Sequence, residues 1–192
     1  MANLRAAAGA ALMLSAPAAR AFDAGQLEQL LDTNACVGCD LSGADLGTKN
    51  LSGADLKDAN LTGASLLLTQ LDGAQLRYAR LAKASLAYAD LSGADLTGAD
   101  LTGAKIWAAN LRDARLERAV LFKATLFDAD LRGAVLIEAD ARQASFRGAN
   151  LADADLRHAD LYQANFKRAY LCGTTMPNGK IEHDSCRGGG SQ

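Results

Sequence analysis

The sequence is poor in the residues that usually carry chemistry. Histidine occurs only as His158 and His183, and their spacing builds neither a metal site nor a general base. Charge of one sign is missing too. Residues 40–176 hold 15 Asp and 2 Glu against 6 Lys and 10 Arg, a balance that offers nucleic acid no attractive field. Aromatic residues are 5% of the chain, too few for an ordinary globular core but adequate for a narrow solenoid whose coils bury one another. The apolar run from Ala6 to Leu14 is too short for a permanent span of a bilayer, and no stop-transfer segment follows it, so no stable membrane span is expected.

What the chain has in abundance is a five-residue beat. Ser92-Gly93-Ala94-Asp95-Leu96-Thr97-Gly98-Ala99-Asp100-Leu101 shows it twice over. A large apolar residue, here called the centre, recurs every five positions from Leu41 to Met176. Only Ile106, Ala141, Phe146, Phe166 and Met176 replace leucine. Alanine stands two residues before each centre from Ala44 to Ala169, except at Lys49 and Thr69. On an α-helix this period would scatter the leucines around the axis. On a flat strand it would send them to alternate faces. A polygonal coil satisfies it, with each pentapeptide forming one side and one corner and every centre turned inward.

Tandem Ala-(Asp/Asn)-Leu-x-x over Asp40 to Met176 resembles the pentapeptide-repeat proteins. The resemblance implies an all-β fold, a right-handed quadrilateral β-helix with four pentapeptides per coil and about seven coils. Function is not implied in the same way, because a fold hosts many functions and a site decides among them.

The rest of the chain forms short ends. Residues 1–21 have the pattern of a cleaved export signal: Arg5, the apolar run, and Ala19-Arg20-Ala21 before Phe22. Residues 22–39 read as a capping helix and linker. Asp23 is the N-cap, Gln26 completes a weak capping box, and Leu27, Leu30 and Leu31 share the face that lies over the first coil. A cap is physically required, since an open solenoid end exposes apolar side chains and unpaired backbone. Residues 40–176 form the solenoid. Residues 177–192 form a C-terminal cap, opened by the Pro177-Asn178-Gly179 turn and ending in a frayed Gly-rich tail. The two ends, around Cys36-Val37-Gly38-Cys39 and Cys172-Gly173-Thr174-Thr175-Met176-Pro177, resemble those of exported pentapeptide proteins from cyanobacteria and chloroplasts. That resemblance implies the thylakoid lumen first and a bacterial periplasm second.

Four cysteines, Cys36, Cys39, Cys172 and Cys186, allow several readings. One zinc ion shared by all four would require the ends to meet, yet about seven coils at about 4.8 Å separate them by about 30 Å. A thioredoxin-type pair lacks its βαβ setting. Two structural disulfides, Cys36–Cys39 and Cys172–Cys186, suit an exported chain, with redox regulation of the tighter pair left open.

Catalysis has no constellation to carry it, and no cofactor is expected. The aspartates before the centres, such as Asp95, Asp100 and Asp130, are spread around the coil by the repeat and suit hydrogen bonding to corner backbone. Outward positions are freer to encode a partner. Residues twenty apart stack on one side, so Leu67, Leu68, Tyr88, Trp107 and Phe127 make one apolar patch grading into Arg147, Lys167 and Arg168. Phe122 extends it from the adjoining side. A contiguous exposed apolar patch marks an interface, whereas singly exposed apolar residues require no explanation.

The expectation is a non-enzymatic exported scaffold that binds an unidentified protein, with no nucleic acid and a monomeric state favoured. Two alternatives stand beside it. Some pentapeptide-repeat proteins mimic DNA and bind a type II topoisomerase, which the near-neutral charge and the leader disfavour. A lumenal redox-responsive regulator is the other.

Overall fold

A computed structural model describes residues 22–183 and Cys186. The expected leader, residues 1–21, and the Gly-rich tail from Arg187 lie outside the described residues. The chain opens with α1 (Ala24–Thr33), N-capped by Asp23, whose Oδ1 accepts hydrogen bonds from the N–H groups of Gly25 at 2.9 Å and Gln26 at 3.3 Å. The helix ends at Asn34, which takes φ 55.

From Ala35 onward, each pentapeptide contributes one parallel bridge to the residue twenty further on, from Ala35↔Asp55 to Asp155↔Thr175. Four pentapeptides therefore close one coil. The pairing is made by single residues and not by runs, because a corner interrupts the chain after every centre. In nearly every corner the centre carbonyl accepts from the N–H three residues on, as Leu41 does from Ala44 at 3.0 Å. The residue two past the centre has positive φ at every turn from Gly38 to Gly173.

Centres and alanines fill the interior, as the period predicts. Leu41, Ala44, Leu96 and Ala99 are all fully buried. Cys36 occupies a centre's place and Cys39 an alanine's, so the beat starts one pentapeptide before the leucines reveal it and both cysteines are buried. Thr69 and Thr174 also stand where alanine is usual. Each is fully buried and donates its hydroxyl to a carbonyl of the preceding coil, Thr69 to Leu46 at 2.9 Å and Thr174 to Leu151 at 2.7 Å. Burial is thereby matched by a hydrogen bond.

The cap differs from expectation in two details. Leu30 is fully buried and Phe22 and Leu27 pack against the core, but Leu31 is 45% exposed. Leu30 sits at the middle of the contact, and Leu31, about 100° further round the helix, turns to solvent. Gln26 does not close a capping box. Its Oε1 accepts from the N–H of Asp40 at 2.6 Å, tying α1 to the first coil where the box would have tied it only to itself.

At the other end the chain turns at Pro177 and runs back over the last coil. Thr175 and Ile181 form an antiparallel bridge, and the N–H groups of Gly173 and Met176 donate to the carbonyls of Glu182 and Lys180. Cys172 and Cys186 are disulfide-bonded with Cα atoms 4.7 Å apart, and Cys36 and Cys39 with Cα atoms 5.4 Å apart.

Candidate functional site

The aspartates before the centres do backbone work. Asp90, Asp95, Asp100 and Asp160 each accept, through Oδ1, the N–H of the residue two positions on, at 2.9 to 3.0 Å. A carboxylate held this way staples a corner and is a poor candidate for chemistry. Among the described residues no cluster of His, Cys, Asp and Glu could hold a metal ion.

The four sides differ in what they show to solvent. The side of Leu56, Leu76, Leu96 and their successors carries a ladder of ion pairs. Lys57 meets Asp55 at 3.3 Å, Arg77 meets Asp95 at 3.5 Å, Arg115 meets Glu117 at 3.1 Å and Arg118 meets Glu138 at 2.7 Å. Arg157 closes it on Asp155 at 2.6 Å. On two other sides Arg132 and Arg142 fold back on Asp130 and Asp140. These guanidinium hydrogen bonds hold Asp130, Asp140 and Asp155 below the ordinary carboxylate range.

The fourth side, built on Leu66, Leu86, Ile106, Leu126, Phe146 and Phe166, carries the candidate patch. Leu67, Leu68, Tyr88, Trp107 and Phe127 are 42%, 53%, 59%, 43% and 37% exposed. Ala87, in the same column, is buried and adds no surface. Trp107 is oriented by its own contact, since Nε1 donates to Thr125 Oγ1 at 3.1 Å. Phe122 belongs to the pentapeptide before that of Phe127. It is half-buried on the adjoining side, and its ring faces Lys123 Nζ at 5.0 Å and Arg142 Cζ at 5.6 Å from the centroid.

Below the aromatics the surface sinks into a cleft of about 270 Å³ lined by Phe127, Asp128, Arg147, Gly148 and Arg168. The apolar and basic halves of the candidate surface therefore meet in one concavity. Asp128 and Gly148, not singled out from the sequence, complete it. A Cβ on Gly148, whose φ is +70, would collide with Asp128 Oδ1, so the glycine admits the carboxylate. The signal was legible, because the two residues are twenty apart in one column. Arg147, Lys167 and Arg168 are exposed, and none forms an ion pair with another described residue.

Comparison with known proteins places this geometry. The sequence profile described as pentapeptide repeats matches in 8 copies over residues 36–67, 68–103, 99–136, 124–163 and 142–178. Among solved structures, the chain is similar to HetL, a pentapeptide repeat protein involved in heterocyst differentiation regulation in the cyanobacterium Nostoc. Identity is 35%, over 77% of this chain and 78% of that one, with a TM-score of 0.43. It is also similar to QnrB1, a plasmid-mediated fluoroquinolone resistance protein, at 16% identity over 80% and 93% of the two chains, with a TM-score of 0.50. A third is a pentapeptide repeat protein of the Arabidopsis thaliana thylakoid lumen, at 32% identity over 65% and 69%, with a TM-score of 0.26. Comparison with curated protein sequences gives no match.

Proposed function

The chain belongs to the pentapeptide-repeat family, with a fold of the right-handed β-helix type, and from that premise we propose that it is a non-enzymatic scaffold binding another protein through its aromatic side. One observation carries this reading. Leu67, Leu68, Tyr88, Trp107 and Phe127 are exposed on a single side of the solenoid, while six arginines of the other sides, Arg77, Arg115, Arg118, Arg132, Arg142 and Arg157, are held in internal ion pairs. Trp, Tyr and Arg are the residues that dominate binding energy at interfaces, and a rigid backbone presents them with little entropy to lose.

The same proposal places the mature protein outside the cytoplasm, in a thylakoid lumen first or a periplasm second. Its supports are the leader-like residues 1–21 and the pairing of all four cysteines. No described helix is long and apolar enough to cross a membrane. Topoisomerase binding by DNA mimicry is set aside, because the near-neutral solenoid lacks the negative rod that mimicry demands, and 16% identity to QnrB1 speaks to fold alone.

A photo-crosslinking residue at position 107, irradiated in cells of the source organism, tests the interface. A discrete adduct that Tyr88→Glu abolishes, and that the same probe at position 92 does not give, is the expected result. Equal adducts from both positions would remove the interface. Intact mass of the native protein tests the location. A start at Phe22 with oxidised cysteines is expected, whereas Met1 with free thiols would restore a reducing compartment and the topoisomerase reading.

A further inference from the structure

The aromatic side is not uniform along its length, and the gradient describes what it takes. From Leu68 to Arg168 is five coil steps, about 24 Å at about 4.8 Å each. The first half shows Tyr88 and Trp107, and the second half the cations Arg147, Lys167 and Arg168, with Phe127 at the join. We propose that this side binds a linear segment of a protein partner in which an apolar or aromatic stretch is followed by carboxylates, one of them seated in the cleft between Arg147 and Arg168. The proposal rests on the reading of this side as an interface and specifies the chemistry of the occupant.

Charge complementarity supplies the reason. Elsewhere Arg115, Arg118, Arg132, Arg142 and Arg157 are each satisfied by a carboxylate of the chain itself. The cleft is lined by two arginines, Arg147 and Arg168, and one carboxylate, Asp128, and neither arginine forms an ion pair with it. The site thus holds an excess positive charge with donors still available, beside the side chain of Phe127. A carboxylate from outside completes the arrangement, and a guanidinium can grip it through two parallel hydrogen bonds.

Asp128 contributes selectivity. It sits where an incoming anion must avoid it, which favours one carboxylate at a defined place over a run of negative charge. A single-stranded nucleic acid presents a phosphate at every residue and asks for cations interleaved with the aromatics along the whole groove. Here the cations are gathered at one end. The partner fitted is therefore a peptide, about seven residues long if it lies extended over the 24 Å.

The test uses the full protein, fluorescently labelled, on an array of 15-residue peptides. Each peptide joins one apolar half, built from Leu, Phe and Ser, to a second half that is acidic, basic or neutral. Capture by the acid-ended set is expected, weakening as salt rises from about 0.05 to about 0.5 M. Arg147→Glu with Arg168→Glu should lower that capture about tenfold or more and shift it towards basic-ended peptides. Trp107→Ser should weaken all sets alike, with circular dichroism confirming that each variant is folded. Capture indifferent to the second half would overturn the proposal while leaving the interface standing. Capture of none of the peptides, or tighter binding of a 20-nucleotide oligo(dT), would overturn it as well. The crosslink at position 107 is read separately, so loss of this proposal and loss of the interface give different results.

Discussion

The ring of Tyr78 rests on Gly98, one coil further on. Its Cδ1 and Cε1 atoms stand 2.6 Å from the point a Cβ on that glycine would occupy. The same ring has Arg77 Cζ 5.7 Å from its centroid. Gly93, one pentapeptide earlier, has a similar φ of +63 and open space around it. Alanine at either position carries the cost of left-handed backbone, about 1 to 2 kcal/mol. Gly98→Ala must also push the tyrosine aside and disturb its contact with Arg77, so it should melt lower than Gly93→Ala. Equal melting temperatures would show that the Tyr78 contact contributes nothing.

Leu66 is fully buried and its neighbour Leu67 is 42% exposed, so adjacent residues of one type separate inside from outside. Leu66→Asp places an unpaired carboxylate among the stacked centres and should cost several kcal/mol. Leu67→Asp should change stability by less than about 1 kcal/mol. Urea titrations of the two variants give the comparison, and similar midpoints would be incompatible with the coil register.

That register was legible because a strict period leaves one solution: Leu96 and Ala99 must both turn inward, and residues twenty apart must stack. The Arg118–Glu138 pair obeys the same rule and can be read back from it. What escaped the sequence lies where the period stops. Leu31 turned to solvent because the tilt of α1 is set by what Leu30 buries beneath it, a tertiary choice that helical spacing does not encode. Gln26 left its capping box for the N–H of Asp40, a partner fourteen residues away. The return of Lys180–Glu182 along Gly173–Met176 is an antiparallel pairing outside the repeat, and only the Pro177 turn hinted at it. In the candidate site the columns were correctly ordered, but the residues that shape the cleft, Asp128 and Gly148, are neither aromatic nor cationic and so drew no attention.

Acid stability should follow the arginine staples. Asp130, Asp140 and Asp155 have their carboxyls held below the ordinary value of 3.8, first by hydrogen bonds from Arg132, Arg142 and Arg157. The native state then binds fewer protons than the unfolded chain as pH drops through that value. These groups therefore contribute stability that is fully present above it and is lost as pH falls through the lower folded-state values. The urea midpoint should hold steady from about pH 7 to about pH 5 and decline below about pH 4. Replacing all three arginines by glutamine should lower the neutral plateau slightly and flatten the acid decline. An unchanged acid limb in the triple variant would assign acid sensitivity to other groups.

The two disulfides should differ in their response to reductant because they differ in access. Cys36 is fully buried and Cys39 is 5% exposed, with Cys36 Sγ 3.2 Å from the carbonyl oxygen of Gln26 in α1. Cys186, by contrast, is exposed. A thiolate must reach sulfur to exchange with it, so Cys172–Cys186 should open first in native buffer and Cys36–Cys39 only when the cap or the coil unfolds. Alkylation followed by peptide mass spectrometry at increasing dithiothreitol reads the order. Simultaneous opening would show α1 to be a loose lid and would revive redox control at the N-terminal pair.

Leu68 and Tyr88 both occupy left-handed corners, each with φ 58, where an L-residue costs about 1 to 2 kcal/mol. Glycine, which fills the corresponding corner at Gly53, Gly73 and Gly93, avoids that cost, although its greater freedom in the unfolded chain takes back about 0.5 to 1 kcal/mol. Both side chains are more than half exposed, so little core packing compensates for keeping them. Leu68→Gly and Tyr88→Gly should therefore leave the melting temperature level or slightly raised. If these residues serve a partner, the same substitutions should abolish the crosslink formed from position 107. Stability retained and crosslink lost would separate recognition from folding at these corners. A stability loss beyond about 1 kcal/mol would instead assign both residues to the fold and leave Trp107 and Phe127 as the remaining aromatic anchors.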